Sequence, residues 1–273
     1  MTAFVKAHAY GNDFLYLRAS SVGDARLDEL AREMCDRHTG VGADGLIVFE
    51  STVDGATMRL FNADGGRAEV SGNGVRGLAA LLARFDQSDD LTLTIETEGG
   101  TKVLQRTGVD GTRQTFRAAM GLPQDVRQTT VTVDGQEIAL VVLNIGNPQA
   151  IVLGPLPDEA TFTRLGAALA VDPSFPEGTN VEFVHVEAPD RIRIRIWERG
   201  VGPSMSSGTG SCASLVAAAS YGGVARSAEV IAPGGPQRVE WRHDSVYLTG
   251  WAEVVCEGQW LRPLPKSPGV RAG

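Results

Sequence analysis

Hydrophobic and polar residues alternate in short runs along most of this chain. "FLYLRA", "DGLIVFE", "ATMRLFNA", "LTLTIETEGGTKVLQ" and "TRQTFRAAMG" carry the β-branched and alternating residues of strands or hairpins. "LDELAREMCDR" has another period: Leu27, Leu30, Ala31 and Met34 fall at helical spacing and predict a surface helix. "VRGLAALLARF", after Gly74, is apolar over most of its surface, and a helix of that kind is buried. The second half repeats the plan. "TVTVDGQEIALVVLNIGNPQAIVL", "TNVEFVHVEA" and "RIRIRIWERG" predict strands, "DEATFTRLGAALAV" a surface helix, and "SGTGSCASLVAAASYGG" a second apolar helix.

Each apolar helix follows a Ser-Gly-x-Gly turn, "SGNG" at 71–74 and "SGTG" at 207–210. This is a weak internal repeat of roughly 130 residues. The reading is an α/β (α+β) chain of two similar lobes, each a mixed or antiparallel sheet wrapped round a central apolar helix. The first lobe spans 1–120 and the second 121–257, with the change expected in "GLPQDVRQ" at 121–128. The tail "PLPKSPGVRAG" is rich in Pro and Gly and is expected to fray.

A helix start exposes unpaired N–H groups and a partial positive charge, and so takes a carboxylate or phosphate. Glycine lets a ligand come close to the backbone. Two such starts facing each other across a cleft would stabilise an α-carboxylate as its Cα proton leaves. Inverting that carbon needs a base on one face and an acid on the other. Ser71 and Ser207 open the two turns. Serine is also a favoured N-cap, and either residue taken alone reads first as a cap. "GNGVRG" at 72–77 does have GxGxxG spacing, but alone it is weak evidence for a nucleotide site, and neither turn has the GxxxxGK[ST] spacing of a phosphate loop.

Composition narrows the choice. In 273 residues, 42% are hydrophobic and 21% charged, enough for a real core, and the net charge of −8 argues against a nucleic-acid surface. Cys35, Cys212 and Cys256 are scattered, with no metal-ligand spacing, and an odd count suits a reducing compartment. The start "MTAFVKAHAYGNDF" lacks the apolar core of a signal peptide, and no apolar run has the length of a membrane span. A cytoplasmic protein with neither metal nor membrane partner is the expectation.

The ordered motifs "HAYGNDF", "CDRHTGVGADGLIVFE", "MRLFNADGGRAEVSGNGVRG", "NIGNPQA", "FPEGTNVEFV" and "ERGVGPSMSSGTGSCAS" make the chain resemble diaminopimelate epimerase over nearly its whole length. The resemblance implies two α/β halves with the active site between them, and a C-terminal strand, about 258–268, that returns to the first half. It implies a cofactor-independent isomerase, without pyridoxal phosphate, acting on a small amino-acid-like dicarboxylate such as LL- or meso-diaminopimelate in lysine biosynthesis. A homodimer is left open. Carried over position by position, its substrate contacts fall on Asn12, Asn62, Asn147, Asn180 and Arg199, and its backbone cradle on Gly72, Asn73, Gly208 and Thr209. An arginine can grip a carboxylate in bidentate fashion, and asparagines offer donors and acceptors to amino and carboxylate groups.

The departures fall on the chemistry. The family's two cysteines, base and acid, correspond to Ser71 and Ser207, and its partner histidine to Gln149. The glutamate that assists the second cysteine is kept as Glu198. Gly45 stands where Gln is frequent, Gly77 where Cys is expected, and Pro203 where Glu is common. Cys212 lies inside the second helix and reads as a small buried side chain. A thiol at a helix start ionises near neutral pH, whereas a serine needs a neighbour to take its proton. Glu198 could relay for Ser207, and Glu69, two residues before Ser71, would share its side of a strand, although Glu69 reads first as a surface salt-bridge residue. The serines read as native or as an inactivating Cys-to-Ser edit, and Gln149, Gly77 and Pro203 favour the first. Three readings follow: an epimerase, an amino-acid-binding homologue without turnover, and a one-base isomerase or dehydratase using Glu198.

Overall fold

The structure is a computed structural model, and it describes residues 1–88 and 90–266. Positions 267–268 of the expected return strand, and the tail from 267 onward, lie outside the described residues. The chain forms two compact units, Met1–Phe116 with Trp251–Gly273, and Arg117–Gly250.

In the first unit the strands are β1 (Thr2–Ala9), β2 (Asn12–Arg18), β3 (Gly45–Ser51), β4 (Gly55–Asn62), β5 (Arg67–Ala68), β6 (Thr92–Thr97) and β7 (Gly100–Asp110). The helices are α1 (Ala19–Val22), α2 (Leu27–Cys35) and α3 (Gly72–Leu82). β1 pairs antiparallel with β2, β2 parallel with β3, β3 antiparallel with β4, β4 parallel with β6, and β6 antiparallel with β7. β8 (Arg113–Ala119) leads out of this unit.

The second unit repeats the order. It contains β9 (Gln124–Val133), β10 (Gln136–Asn144), β11 (Pro148–Leu153), α4 (Glu159–Ala170), β12 (Asn180–Ala188), β13 (Arg191–Glu198) and β14 (Gly202–Ser204). α5 (Gly208–Tyr221), β15 (Ser227–Ala232), β16 (Gly235–Trp241) and the first residues of β17 (Val246–Trp260), up to Gly250, complete it. β10 to β11 is antiparallel, β11 to β12 parallel, β12 to β13 antiparallel, β13 to β15 parallel and β15 to β16 antiparallel, the same alternation as in the first unit. The start of β17 pairs with β16, and from Glu253 to Trp260 it pairs with β1. Gly258–Trp260 falls within the stretch expected to return.

β2, β3 and the first half of β12 are covered on both faces, which explains their nearly continuous burial, while β7, β9 and β13 alternate buried and exposed positions. Leu15, Leu17, Leu46 and Val48 pack with Leu30, Ala31 and Met34 of α2, while α3 lies against β1, β2, β6 and β7. In the second unit Val181 and Phe183 pack with Phe162, Leu165 and Leu169 of α4. Ile151, Val184, Ile194 and Ile196 pack with Leu215 and Val216 of α5. Each large side chain so buried contributes roughly 1.5–3 kcal/mol. α5 tolerates burial all round because its polar residues are small and satisfied at home: the hydroxyls of Ser211 and Ser214 each donate to the carbonyl four residues back, at 2.7 Å. "DEATFTRLGAALAV" forms α4, a surface helix that buries Phe162, Leu165 and Leu169 on one face and exposes Glu159, Thr163 and Arg164 on the other.

Candidate active site

The two glycine turns are built alike. Ser71 is the N-cap of α3 at φ −130°, ψ 122°, and its Oγ accepts from Gly74 N at 3.1 Å. Ser207 is the N-cap of α5 at φ −131°, ψ 128°, and its Oγ accepts from Gly210 N, also at 3.1 Å. The capping role is therefore real at both positions. It ties up an oxygen lone pair and leaves each hydroxyl able to donate.

In the first unit the left-handed turn at Tyr10 (φ 55°) and Gly11 (φ 89°) delivers Asn12 to the start of β2. Asn12 Oδ1 accepts from Asn73 Nδ2 at 3.1 Å, and its Nδ2 donates to Asp44 Oδ2 at 2.7 Å. Buried Arg76 donates to Asn73 Oδ1 and so fixes the direction of that amide. Asp44 is held in turn by Arg37 at 2.7 Å, which also bonds Asp13 at 2.8 Å, and Lys6 lies 2.9 Å from Asp13. Burial works to raise the Asp13 carboxyl, but Arg37 and Lys6 outweigh it and hold it below the usual carboxylate range. Asn62 ends β4 with its side chain exposed, in a turn closed by Gly65 N donating to its carbonyl at 2.9 Å. A Cβ on Gly72 would meet nothing within 4 Å, so that turn is open to a ligand. Glu69 does not share a strand face with Ser71: β5 stops at Ala68, and Glu69 sits exposed in a bend where its carbonyl accepts from Gly99 N.

The second unit gathers Asn147, Gln149, Asn180, Thr209 and Ser207. Their amide directions follow from a donor that cannot turn round. Arg199 N donates to Asn180 Oδ1 at 2.8 Å, so Asn180 offers Nδ2 to Gln149. The Gln149 atom 3.2 Å from that nitrogen is then Oε1, and it also accepts from Thr209 Oγ1 at 3.2 Å. The Asn147 side-chain amide lies 2.7 Å from the same atom, so it too must turn its Nδ2 toward this oxygen. Gln149 Nε2 is left 3.0 and 3.1 Å from the two carboxyl oxygens of Glu182. Ser207 Oγ stands 3.5 Å from Thr209 Oγ1. Arg199 is exposed and donates from Nη1 to Glu177 O at 2.6 Å. Glu198 closes β13, half-buried. Gly208 is buried in the first turn of α5.

Glu182 is fully buried, and sequence reasoning missed it. Burial first, and the charge of Glu198 second, raise its carboxyl well above the usual range. A Cβ on Gly210 would collide with its Oε1, so glycine there makes room for the carboxyl. Sequence reasoning also passed over Asp44 and Arg76, which hold Asn12 and Asn73. Among the described residues no group of three or more His, Cys, Asp or Glu could hold a metal ion, and no helix is long and apolar enough to cross a membrane.

The profile of the family described as diaminopimelate epimerase matches residues 4–126 and 141–255. The chain is 38% identical to the diaminopimelate epimerase of Desulforudis audaxviator, over 95% of this chain and 99% of that one. It is 37% identical to the diaminopimelate epimerase of Desulfitobacterium hafniense, over 94% and 97%. The crystal structure of a hydroxyproline epimerase from Agrobacterium vitis, with bound trans-4-hydroxy-L-proline, shares the fold at a TM-score of 0.70 and 16% identity, over 94% of this chain and 91% of that one. Paired Ser-capped helices in a duplicated sheet, together with matches of this length and identity, make the chain a member of the diaminopimelate epimerase family.

Proposed function

We propose that the chain is a cofactor-independent epimerase that moves a proton at the acidic Cα–H of an amino acid with a second polar end, with LL- and meso-diaminopimelate as its substrates. The observation that carries this reading is the pair of matched helix starts, each with a serine oxygen 3.1 Å from the N–H three residues on. Backbone N–H groups around Gly72, Asn73, Gly208 and Thr209 suit an α-carboxylate, and they stabilise the charge that develops as the proton leaves. Asn12, Asn62, Asn147, Asn180 and Arg199 supply the remaining polar contacts. Ser71 and Ser207 take the two acid/base positions, with Glu198 as the neighbour that accepts a proton from Ser207. The relatives named diaminopimelate epimerase support the substrate and a place in lysine biosynthesis.

The test is to incubate the chain with meso-diaminopimelate in heavy water and follow deuterium at Cα. Incorporation above buffer, lost in Ser71→Ala and Ser207→Ala, supports the proposal. Substrate bound with no exchange rejects it. One observation favours a second reading, a binding protein without turnover: Gln149 holds the position expected for histidine, and an amide bonded to Thr209 and Glu182 has no proton-accepting role. Calorimetry that finds binding in the absence of exchange would establish this alternative.

A further inference from the structure

The internal repeat allows each half-site to be compared with its counterpart. In the first unit Phe14 pairs with Gly45 across the parallel strands β2 and β3, and Ile47 follows two residues on. In the second, Gln149 pairs with Asn180 across β11 and β12, and Glu182 follows two residues on. The central helices confirm the match. A Cβ on Gly74 would meet Ile47 Cδ1 at 2.8 Å, and a Cβ on Gly210 would meet the Glu182 carboxyl. Phe14 (4% exposed) and Ile47 (0%) thus stand where the second unit has Gln149 (1%) and Glu182 (0%). The same architecture is closed in one half by an apolar pair, so packing does not demand a carboxyl under α5. Burying one costs stability, which makes its presence a matter of function.

We propose that Glu182 is a positioning residue for the second half-site: by accepting from Gln149 Nε2 it fixes the direction of the hydrogen-bond row that presents Asn180, Thr209 and Ser207 to the substrate. The inference rests on the epimerase reading for its ligand. The row has two ends. At one, Arg199 N–H holds Asn180 Oδ1 at 2.8 Å. At the other, Glu182 keeps an acceptor for Gln149 Nε2 in either protonation state, because its carbonyl oxygen remains when the acid is neutral. Gln149 Oε1 must then face Asn180 and Thr209. Thr209 donates to it and turns its lone pairs toward Ser207, 3.5 Å away, so Ser207 can donate in turn. An apolar residue at 182 would leave Gln149 Nε2 buried without an acceptor and its amide able to reverse. Reversal would put a donor against Asn180 Nδ2 and make Thr209 an acceptor, so its hydroxyl would no longer be directed to Gln149.

The test compares wild type with Glu182→Gln, Glu182→Ile, Gln149→Phe and the double variant that copies the apolar pair of the other half. Thermal melting establishes folding, and calorimetry measures the affinity for meso-diaminopimelate. Glu182→Gln keeps an acceptor and should bind within about 2-fold of wild type, while Glu182→Ile should lose at least about 10-fold, a 1.4 kcal/mol effect. In the Gln149→Phe background the change at 182 should cost less than about 2-fold, because the residue acts through Gln149. The apolar double variant should melt no lower than wild type and still bind poorly. A folded Glu182→Ile chain that binds like wild type overturns the proposal, as do losses that multiply in the double variant.

If wild type binds no diaminopimelate, the substrate reading fails and an independent readout decides the role of Glu182. The Gln149 side-chain amide resonances, assigned by their loss in Gln149→Phe, should exchange slowly in wild type and Glu182→Gln and rapidly in Glu182→Ile. Equal exchange in all three refutes the role without reference to any ligand.

Discussion

A capping serine and a catalytic serine make different demands on one hydroxyl. The cap uses an oxygen lone pair, and Ser71 and Ser207 both spend one on the N–H three residues on. A hydroxyl in that state remains a donor, but as a base it lacks the accessible anion of a thiol. Replacing both serines by cysteine should therefore raise Cα exchange of diaminopimelate in heavy water by about 10²-fold or more, the usual scale of positioned acid–base catalysis. The same change should cost about 1 kcal/mol per lost cap. Equal exchange in the serine and cysteine chains would mean that the hydroxyls already suffice. The native cysteines should not compete in such work. Cys35 and Cys212 are buried, and burial, aided by the charges of Asp13 and Asp44, pushes the Cys35 thiol up to about 12. Cys256 is exposed. Iodoacetamide on the folded chain should label Cys256 alone, as mass spectrometry of tryptic peptides can check, and modification of Cys35 without unfolding would contradict this packing.

Elements with a strong period were legible in the sequence: α2, α3 and α5, and strands such as β3, β4, β12 and β13, fall where the hydrophobic pattern puts them. β1 was not, because "TAFVKAHA" mixes Ala, Lys and His and becomes a strand only through its partners β2 and β17. The side of Ser71 on which Glu69 falls was misjudged because a two-residue strand cannot carry alternation to its neighbour. Gly77, read only as a missing cysteine, has a reason at this scale. Tyr16, buried between β2 and α3, donates from its hydroxyl to Gly74 O at 2.9 Å, and a Cβ on Gly77 would collide with that hydroxyl. The two residues are one packing choice. Gly77→Cys should thus destabilise by about 1–3 kcal/mol through overpacking. Tyr16→Phe alone should lose about 0.5–1.5 kcal/mol with the hydrogen bond. The double variant should be more stable than the sum of the two losses, as urea unfolding would show. Strict additivity would separate the pair.

At the scale of the whole chain the repeat was readable from its two Ser-Gly-x-Gly turns, and the amide residues proposed for the site were drawn from the motif order. Glu182 was not, because "NVEFV" reads as a strand with one polar, outward residue. The helix that covers its second face comes from sequence far downstream: β12 is sandwiched by α4 and α5, so both faces are interior and its glutamate has no outward side. This burial gives the molecule a pH response. The folded chain holds the Glu182 proton well above the usual carboxylate range, through burial first and the Glu198 charge second. The unfolded chain releases it near pH ~4.3. Between those limits the native state binds more protons than the unfolded one, so Glu182 makes stability fall as pH rises, by up to about 1.4 kcal/mol per pH unit. Asp13, Asp36 and Glu253 act with opposite sign: their lowered carboxyls contribute stability that is lost as pH falls. They are common to wild type and Glu182→Gln, so comparing the two chains cancels them. Thermal melts of both should nearly coincide near pH 4.5, and the variant should become progressively the more stable toward pH 8. A gap that stays constant, or that closes as pH rises, would show that Glu182 is ionised at little cost and that the space under α5 admits water.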